Sequence, residues 1–157
     1  MKKKYFSLFS WYAFILFGQI LSGLLTKREV TNWYDELSRP AWTAPNWIFG
    51  PVWALLYATM AFAVWLVWEN RSNLYIRGRA IFWFCFQLLC NFAWTPLFFT
   101  LHRIDLAAYC LVLLLIGLSF TIYWFLKSNL LAGWLLVPYM IWCVYAFCLN
   151  LVLLWMN

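Results

Sequence analysis

The stretch Leu106–Leu126, LAAYCLVLLLIGLSFTIYWFL, contains no Lys, Arg, Asp, Glu or His. Crossing a hydrocarbon core of about 30 Å takes ~20 apolar residues at the helical rise, and this run supplies them. A helix satisfies its own backbone N–H and C=O groups where no water can, so the run reads as a spanning helix. Four other uncharged runs repeat the pattern: Tyr5–Leu25, Trp47–Trp68, Ala80–Leu101 and Leu130–Met156. Every charged residue lies outside the five. The expected fold is an all-α membrane protein, a bundle of five transmembrane helices forming a single domain over residues 1–157.

Composition agrees with that reading. Hydrophobic residues make up 67% of the chain and charged residues 10%, against about a quarter charged in soluble domains. Lys2-Lys3-Lys4 ahead of the first run has the look of a secretory signal. The run is longer than a signal's apolar core of roughly 7–15 residues and ends in Leu24-Leu25-Thr26-Lys27, without a small-residue cleavage pattern. It is therefore expected to be the first span. A cytoplasmic N-terminus puts Lys2, Lys3, Lys4, Arg71, Arg77, Arg79 and Lys127 inside and leaves Lys27, Arg28, Arg39 and Arg103 outside, which the positive-inside tendency favours. The net charge of +6 then reports topology and lipid headgroups; no basic recognition helix suggests a nucleic-acid partner.

The connections fall at about 26–46, 69–79, 102–105 and 127–129. The short ones make successive helices antiparallel. Pro40 and Pro45 are expected to hold the long first connection extended, and Pro51 to start the second helix, where its missing N–H costs little. Pro96 and Pro138 lie deep in the third and fifth spans and remove the bonds to the Phe92 and Trp134 carbonyls. The resulting kinks either open space in the bundle or serve packing alone. Cys85, Cys90, Cys110, Cys143 and Cys148 lie within spans without a C-x-x-C pair, and read as small apolar packing groups. Gly18 with Ser22, and Ala54 with Ala58, have the spacing of close helix contacts, within the chain or at a dimer seam.

No span carries an ionisable Asp, Glu, Lys, Arg or His, which argues against proton relays, ion-coupled pumps and conventional hydrolases. One histidine, His102, provides neither a two-histidine haem site nor a histidine-rich metal centre. Neutral polar groups remain. Gln87, Asn91, Thr95 and Phe98 share one face of the third helix, with Trp94 beside them. Tyr139, Trp142, Ala146 and Asn150 share a face of the fifth, and Trp53, Tyr57, Met60 and Val64 a face of the second. Amides are costly against lipid, so these faces turn inward. They act as interhelical hydrogen-bonding groups, or they line one cavity; the periodicity supports both. Trp33, Tyr34, Trp42, Trp47 and Trp53 exceed what interfacial anchoring needs and suit a flat apolar ligand that rings can sandwich.

The run Trp33-Tyr34-x-x-Leu37-x-x-Pro40-x-Trp42-x-x-Pro45-x-Trp47-x-x-Gly50-Pro51-x-Trp53-x-x-Leu56-Tyr57 resembles the first-loop and second-helix signature of the TspO/MBR family. Gln87-Leu88-x-x-Asn91-x-x-Trp94 and Pro138-Tyr139-x-x-Trp142-x-x-x-Ala146-x-x-Leu149-Asn150 resemble its third- and fifth-helix motifs. The resemblance implies a homodimer of five-helix bundles in a membrane, here a bacterial cell membrane. It also implies a pocket, covered by the first loop, that takes protoporphyrin IX, haem or isoquinoline-carboxamide and benzodiazepine-like ligands. No cofactor or metal is required. Carried over by motif, the pocket residues are Tyr34, Trp53, Tyr57, Asn91, Trp94, Trp142 and Ala146; Gln87, Tyr139 and Asn150 join them from the inward faces. The resemblance further implies that Trp53 and Trp142 are the candidates for light- and oxygen-dependent porphyrin degradation. A structural or lipid-binding role is the remaining alternative. The family's vertebrate cholesterol pattern needs a basic residue in the fifth helix, and none follows Lys127.

Overall fold

The structure, a computed structural model, describes residues 2–31, 33–70 and 73–157, and the side chains of 6–24, 33–70 and 73–157. The side chains of Lys2, Lys3, Lys4, Lys27 and Arg28, and all of Arg71, which carry much of the sidedness expectation, lie outside the described residues.

The chain runs through α1 (Lys2–Thr31), α2 (Trp33–Glu36), α3 (Asn46–Glu69), α4 (Leu74–Thr95), a wide π turn (Pro96–Thr100), α5 (Ile104–Ser128), α6 (Leu130–Trp134) and α7 (Val137–Met156). Among the described residues, five segments are long and apolar enough to span a membrane: Phe6–Leu24, Asn46–Glu69, Leu74–Thr100, Ile104–Ser128 and Leu130–Met156. This is a five-helix, multi-pass membrane fold, as the uncharged runs require.

The edges differ from expectation in three places, each for a local reason. First, α1 continues to Thr31 instead of ending near Leu25, since Lys27, Arg28 and Glu29 are good helix formers that prolong the helix beyond its apolar run. The first connection therefore shrinks, and it holds the short α2. Second, α4 begins at Leu74 rather than Ala80. Asn73 caps it by accepting the Ile76 N–H at 3.0 Å, and Arg77 and Arg79 lie over the rings of Trp68 and Tyr75. The charges that marked a loop in the sequence are thus carried on the first turns of a helix.

Third, the prolines act differently. Pro45, not Pro51, precedes α3: the Ile48 N–H donates to the Pro45 carbonyl at 3.0 Å, so the helix is already under way at Pro51. The bond to the Trp47 carbonyl is lost instead. Pro40 does not keep the loop extended, because the backbone N–H and hydroxyl of Thr43 both donate to its carbonyl, at 3.0 and 2.7 Å, and close a turn. Pro138 divides the last span into α6 and α7. Pro96 opens the π turn, in which the Leu101 N–H reaches back to the Pro96 carbonyl at 2.9 Å.

The half of the bundle near the α3–α4 connection is filled by packed apolar side chains. Met60, Val64, Val67, Phe84, Leu118, Phe125 and Leu136 are fully buried there, with Phe84 stacked on Phe125 and Trp11 edge-on to Phe84. Outward residues of α1, including Phe6, Phe9, Phe17 and Leu24, are exposed, as a lipid-facing helix demands. Gly18 lets α1 approach α4: a Cβ there would lie 2.3 Å from the Phe92 ring. That close contact is within the chain.

Candidate functional site

The other half of the bundle, beneath the α2 segment, is hollow. A cavity of about 400 Å³ is bordered by the later part of α1, the start of α3, the end of α4 with its π turn, α5 and the later part of α7. That volume lies within the range of small-molecule sites. Proline placement contributes to the space: the π turn opened by Pro96 sets Phe98 and Phe99, with Thr95 before them, on the cavity lining.

Eight of the ten ligand-binding candidates line this cavity: Tyr34, Trp53, Tyr57, Asn91, Trp94, Trp142, Ala146 and Asn150. Trp53 stacks on Tyr57 with centroids 5.1 Å apart and meets Trp142 edge-on at 6.5 Å. Trp94 stacks on Phe98 at 5.2 Å. The surface offered to an occupant is thus mostly aromatic rings and leucine side chains, with amides at Gln19, Asn46, Asn91 and Asn150.

Gln87 and Tyr139 do not line the cavity; they lie behind it, both fully buried. The Tyr139 hydroxyl donates to Gln87 Oε1 at 3.0 Å and accepts from Asn91 Nδ2 at 3.0 Å. Asn91 Oδ1 in turn accepts from the Tyr57 hydroxyl at 2.8 Å. The same hydroxyl lies 2.7 Å from Gln19 Oε1. One phenol has one proton, so the amide of Gln19 must turn its Nε2 toward Tyr57 for every bond to form at once. The result is a directional chain, Gln19 to Tyr57 to Asn91 to Tyr139 to Gln87, joining α1, α3, α4 and α7.

Gln19 is the main residue that the motif reading missed. The signal was available, because it is an amide within the first apolar run and the inward-turning argument applies to it as to Gln87. Leu16 and Gly23 beside it, Phe49 and Cys143 also line the cavity and carried no polar signal in the sequence.

The first loop covers this end. Tyr34 is 6% exposed and packs against Phe98 and Phe99, while Trp33 stacks on His102 at 4.3 Å. The Arg39 guanidinium lies over the Tyr34 ring and pairs with Asp35 at 3.3 Å. Asn46 Nδ2 donates to the same Asp35 oxygen at 3.2 Å. Burial pushes the Tyr34 phenol above its ordinary pKa, with Arg39 opposing. Farther along, the Ala44 N–H donates to the Tyr145 hydroxyl at 2.8 Å, and Trp42 packs edge-on to the Tyr145 ring. The Ser38 N–H donates to Asn157 Oδ1, and Asn157 Nδ2 to the Ser38 carbonyl. Trp42 and Trp47 are 49% and 72% exposed, in keeping with rings at a membrane interface.

Fold and cavity together define a class: a multi-pass membrane protein whose five-helix bundle encloses an aromatic, uncharged cavity under an extramembrane loop. Residues 11–156 match the TspO/MBR family, and the chain belongs to that family. It is 39% identical to Protein CrtK of Rhodobacter capsulatus over 75% of this chain and 74% of that protein. It is 33% identical to the tryptophan-rich sensory protein of Cereibacter sphaeroides, covering 82% and 78% of the two chains. The human translocator protein is 33% identical, with 78% and 73% covered.

Proposed function

We propose that this protein is a membrane receptor or carrier for flat, apolar ligands of the tetrapyrrole class, such as protoporphyrin IX and haem, acting in tetrapyrrole handling and stress signalling. Isoquinoline-carboxamide and benzodiazepine-like molecules would occupy the same space. The observation that carries this reading is the cavity walled by Trp53, Tyr57, Trp94 and Trp142. Stacked and edge-on rings favour a planar aromatic occupant through offset stacking and apolar burial. An N-terminus on the cytoplasmic side of a bacterial cell membrane and assembly as a homodimer belong to the same proposal.

The test is quenching of tryptophan fluorescence by protoporphyrin IX in nanodiscs. Trp53→Ala combined with Trp142→Ala should lower the affinity at least ~10-fold, the loss of two large stacking contacts. Unchanged affinity would sink the assignment of the cavity.

A second reading, light- and oxygen-dependent porphyrin degradation, draws on the edge-on contact of Trp53 with Trp142 at the cavity surface. Here dioxygen is the oxidant, the bound pigment absorbs the light, and the indoles are the nearest electron-rich groups. A product that forms with wild type and fails to form with Trp142→Phe, at equal illumination and occupancy, supports it. The same products from both proteins reduce it to photobleaching.

A further inference from the structure

Gln19 is the amide that α1 brings to the cavity wall. It shares a helix face with the buried Ile15 and Ser22, while Phe17 and Leu24 are exposed on the outer side. Leu16 and Gly23 flank it on the lining. One of its amide atoms meets the Tyr57 hydroxyl at 2.7 Å. No described residue bonds the other, and that atom is not among the polar atoms sealed away without a partner. Since Gln19 is only partly buried, this second amide atom keeps accessible surface on a side chain that lines the cavity.

The chain behind Gln19 has two ways to form. With the Asn91 and Gln87 amides as they stand, donation runs from Gln19 through Tyr57, Asn91 and Tyr139 to Gln87, over contacts of 2.7, 2.8, 3.0 and 3.0 Å. Turning those two amides instead, and rotating both phenol hydroxyls, reverses donor and acceptor at every one of these contacts. No proton leaves its atom. Tyr57, Asn91, Tyr139 and Gln87 are all buried, so they have chiefly one another to bond. The two directions differ at the ends. The first strands Gln87 Nε2, which is buried without a partner. The second strands the Gln87 carbonyl oxygen in its place, and an under-satisfied buried carbonyl is more readily tolerated than an orphaned N–H. At the cavity end, the first direction spends Gln19 Nε2 on Tyr57 and leaves Oε1 accessible; the second spends Oε1 and leaves Nε2.

We propose that Gln19 is a polar contact for the ligand and that it answers either kind of group. A ligand N–H selects the first direction and bonds Oε1; a ligand carbonyl selects the second and bonds Nε2. The choice is carried along the chain to Gln87, which lies behind the lining. Gln87 is a positioning residue in this account, acting on the ligand only through Tyr139, Asn91 and Tyr57. The inference rests on the receptor reading above, in that a flat ligand occupies this cavity.

Three flat, uncharged probes of nearly one shape test it: fluorene without a hydrogen-bonding group, carbazole with an N–H donor, and fluorenone with a carbonyl acceptor. Equilibrium dialysis against the full-length protein in nanodiscs gives the affinities, with empty nanodiscs correcting for partitioning. One hydrogen bond gained on binding is worth about 3- to 10-fold, so carbazole and fluorenone should each exceed fluorene by that factor in wild type. Gln19→Leu should abolish both gains. Gln87→Met removes the acceptor at the far end, so the Tyr139 hydroxyl keeps a partner in the chain only by donating to Asn91, which fixes the second direction. Carbazole should then lose its gain while fluorenone keeps its own. Adding Tyr57→Phe to Gln87→Met cuts the chain, lets the Gln19 amide turn alone, and should restore the carbazole gain.

A wild-type gain for only one of the two polar probes overturns the proposal, as do gains that survive Gln19→Leu. So does a carbazole-to-fluorenone ratio that Gln87→Met leaves unchanged, or one that stays shifted after Tyr57→Phe is added. A folding defect in a variant lowers all three probes together and leaves that ratio intact, with fluorene as the internal standard. If none of the three saturates the protein above empty discs, the receptor reading fails instead.

Discussion

Tyr139 on α7 donates its hydroxyl hydrogen to Gln87 Oε1 on α4 and accepts one from Asn91 on the same helix, both at 3.0 Å. Two residues one turn apart on α4 therefore grip a single phenol on α7, away from water. The bundle's polar interior is organised around that grip, with Asn91 at the boundary between packed polar chain and open cavity.

Tyr139→Phe removes both bonds while keeping the ring. Gln87 Oε1 and Asn91 Nδ2 are then left without their partner, which should cost about 1–2 kcal/mol of stability, since membrane hydrogen bonds are individually modest. Thermal unfolding in detergent measures this. Because Tyr139 lies behind the cavity lining, the ligand affinity should change less than it does in Trp53→Ala with Trp142→Ala.

Glycines separate packing from propensity. A Cβ at Gly133 would meet the Leu126 side chain at 2.4 Å and its backbone nitrogen at 3.0 Å, whereas at Gly78 it would meet nothing within 4 Å. Gly133→Ala should destabilise by roughly 1–3 kcal/mol through overpacking where α6 turns back on α5. Gly78→Ala, within α4, should be neutral or stabilise by up to about 1 kcal/mol. Paired melting curves decide between them.

The lid is tied down at Tyr145. Tyr145→Phe keeps the ring against Trp42 and loses only the acceptor for the Ala44 N–H. The loss of one partly exposed hydrogen bond, about 0.5–1.5 kcal/mol, should appear as ligand release faster by roughly 2- to 10-fold. Stopped-flow fluorescence of porphyrin dissociation reads it directly, with the melting temperature nearly unchanged.

Tyr34 gives a pH signature. Burial holds its pKa above the ordinary tyrosine value, so the folded state favours the neutral phenol over the phenolate more than the unfolded chain does. The stabilisation is fully present below about pH 10, the unfolded value, and is lost as pH climbs from there through the folded pKa. Alkaline unfolding should therefore be shallower in Tyr34→Phe than in wild type over that window.

Much of the cavity was legible from residue types at helical spacing. Asn91, Trp94, Trp142 and Asn150 fell on inward faces because an amide or a polar ring edge among lipid tails is too costly, and Ala146 fell with them by its spacing. Gln19 obeyed the same rule and escaped the motif reading, because Leu16 and Gly23, its neighbours on the cavity side of α1, carry no polar signal. The start of α4 was obscured by Arg77 and Arg79, whose charges read as loop until their side chains were seen lying over Trp68 and Tyr75.

The sequence by itself determined the five spans, the membrane and the inward faces, because charge and unpaired backbone are both excluded from hydrocarbon and leave a plain mark on the chain. It also showed the loop as a dense cluster of rings. Only the tertiary structure decided which inward groups satisfy one another and which confront open space. A helical face is several residues wide, and its final rotation depends on the π turn after Pro96, the break before Pro138 and the close approach at Gly18. Those features turned Gln87 and Tyr139 into a sealed hydrogen-bonded pair, and set Trp94 and Asn150 on the cavity lining.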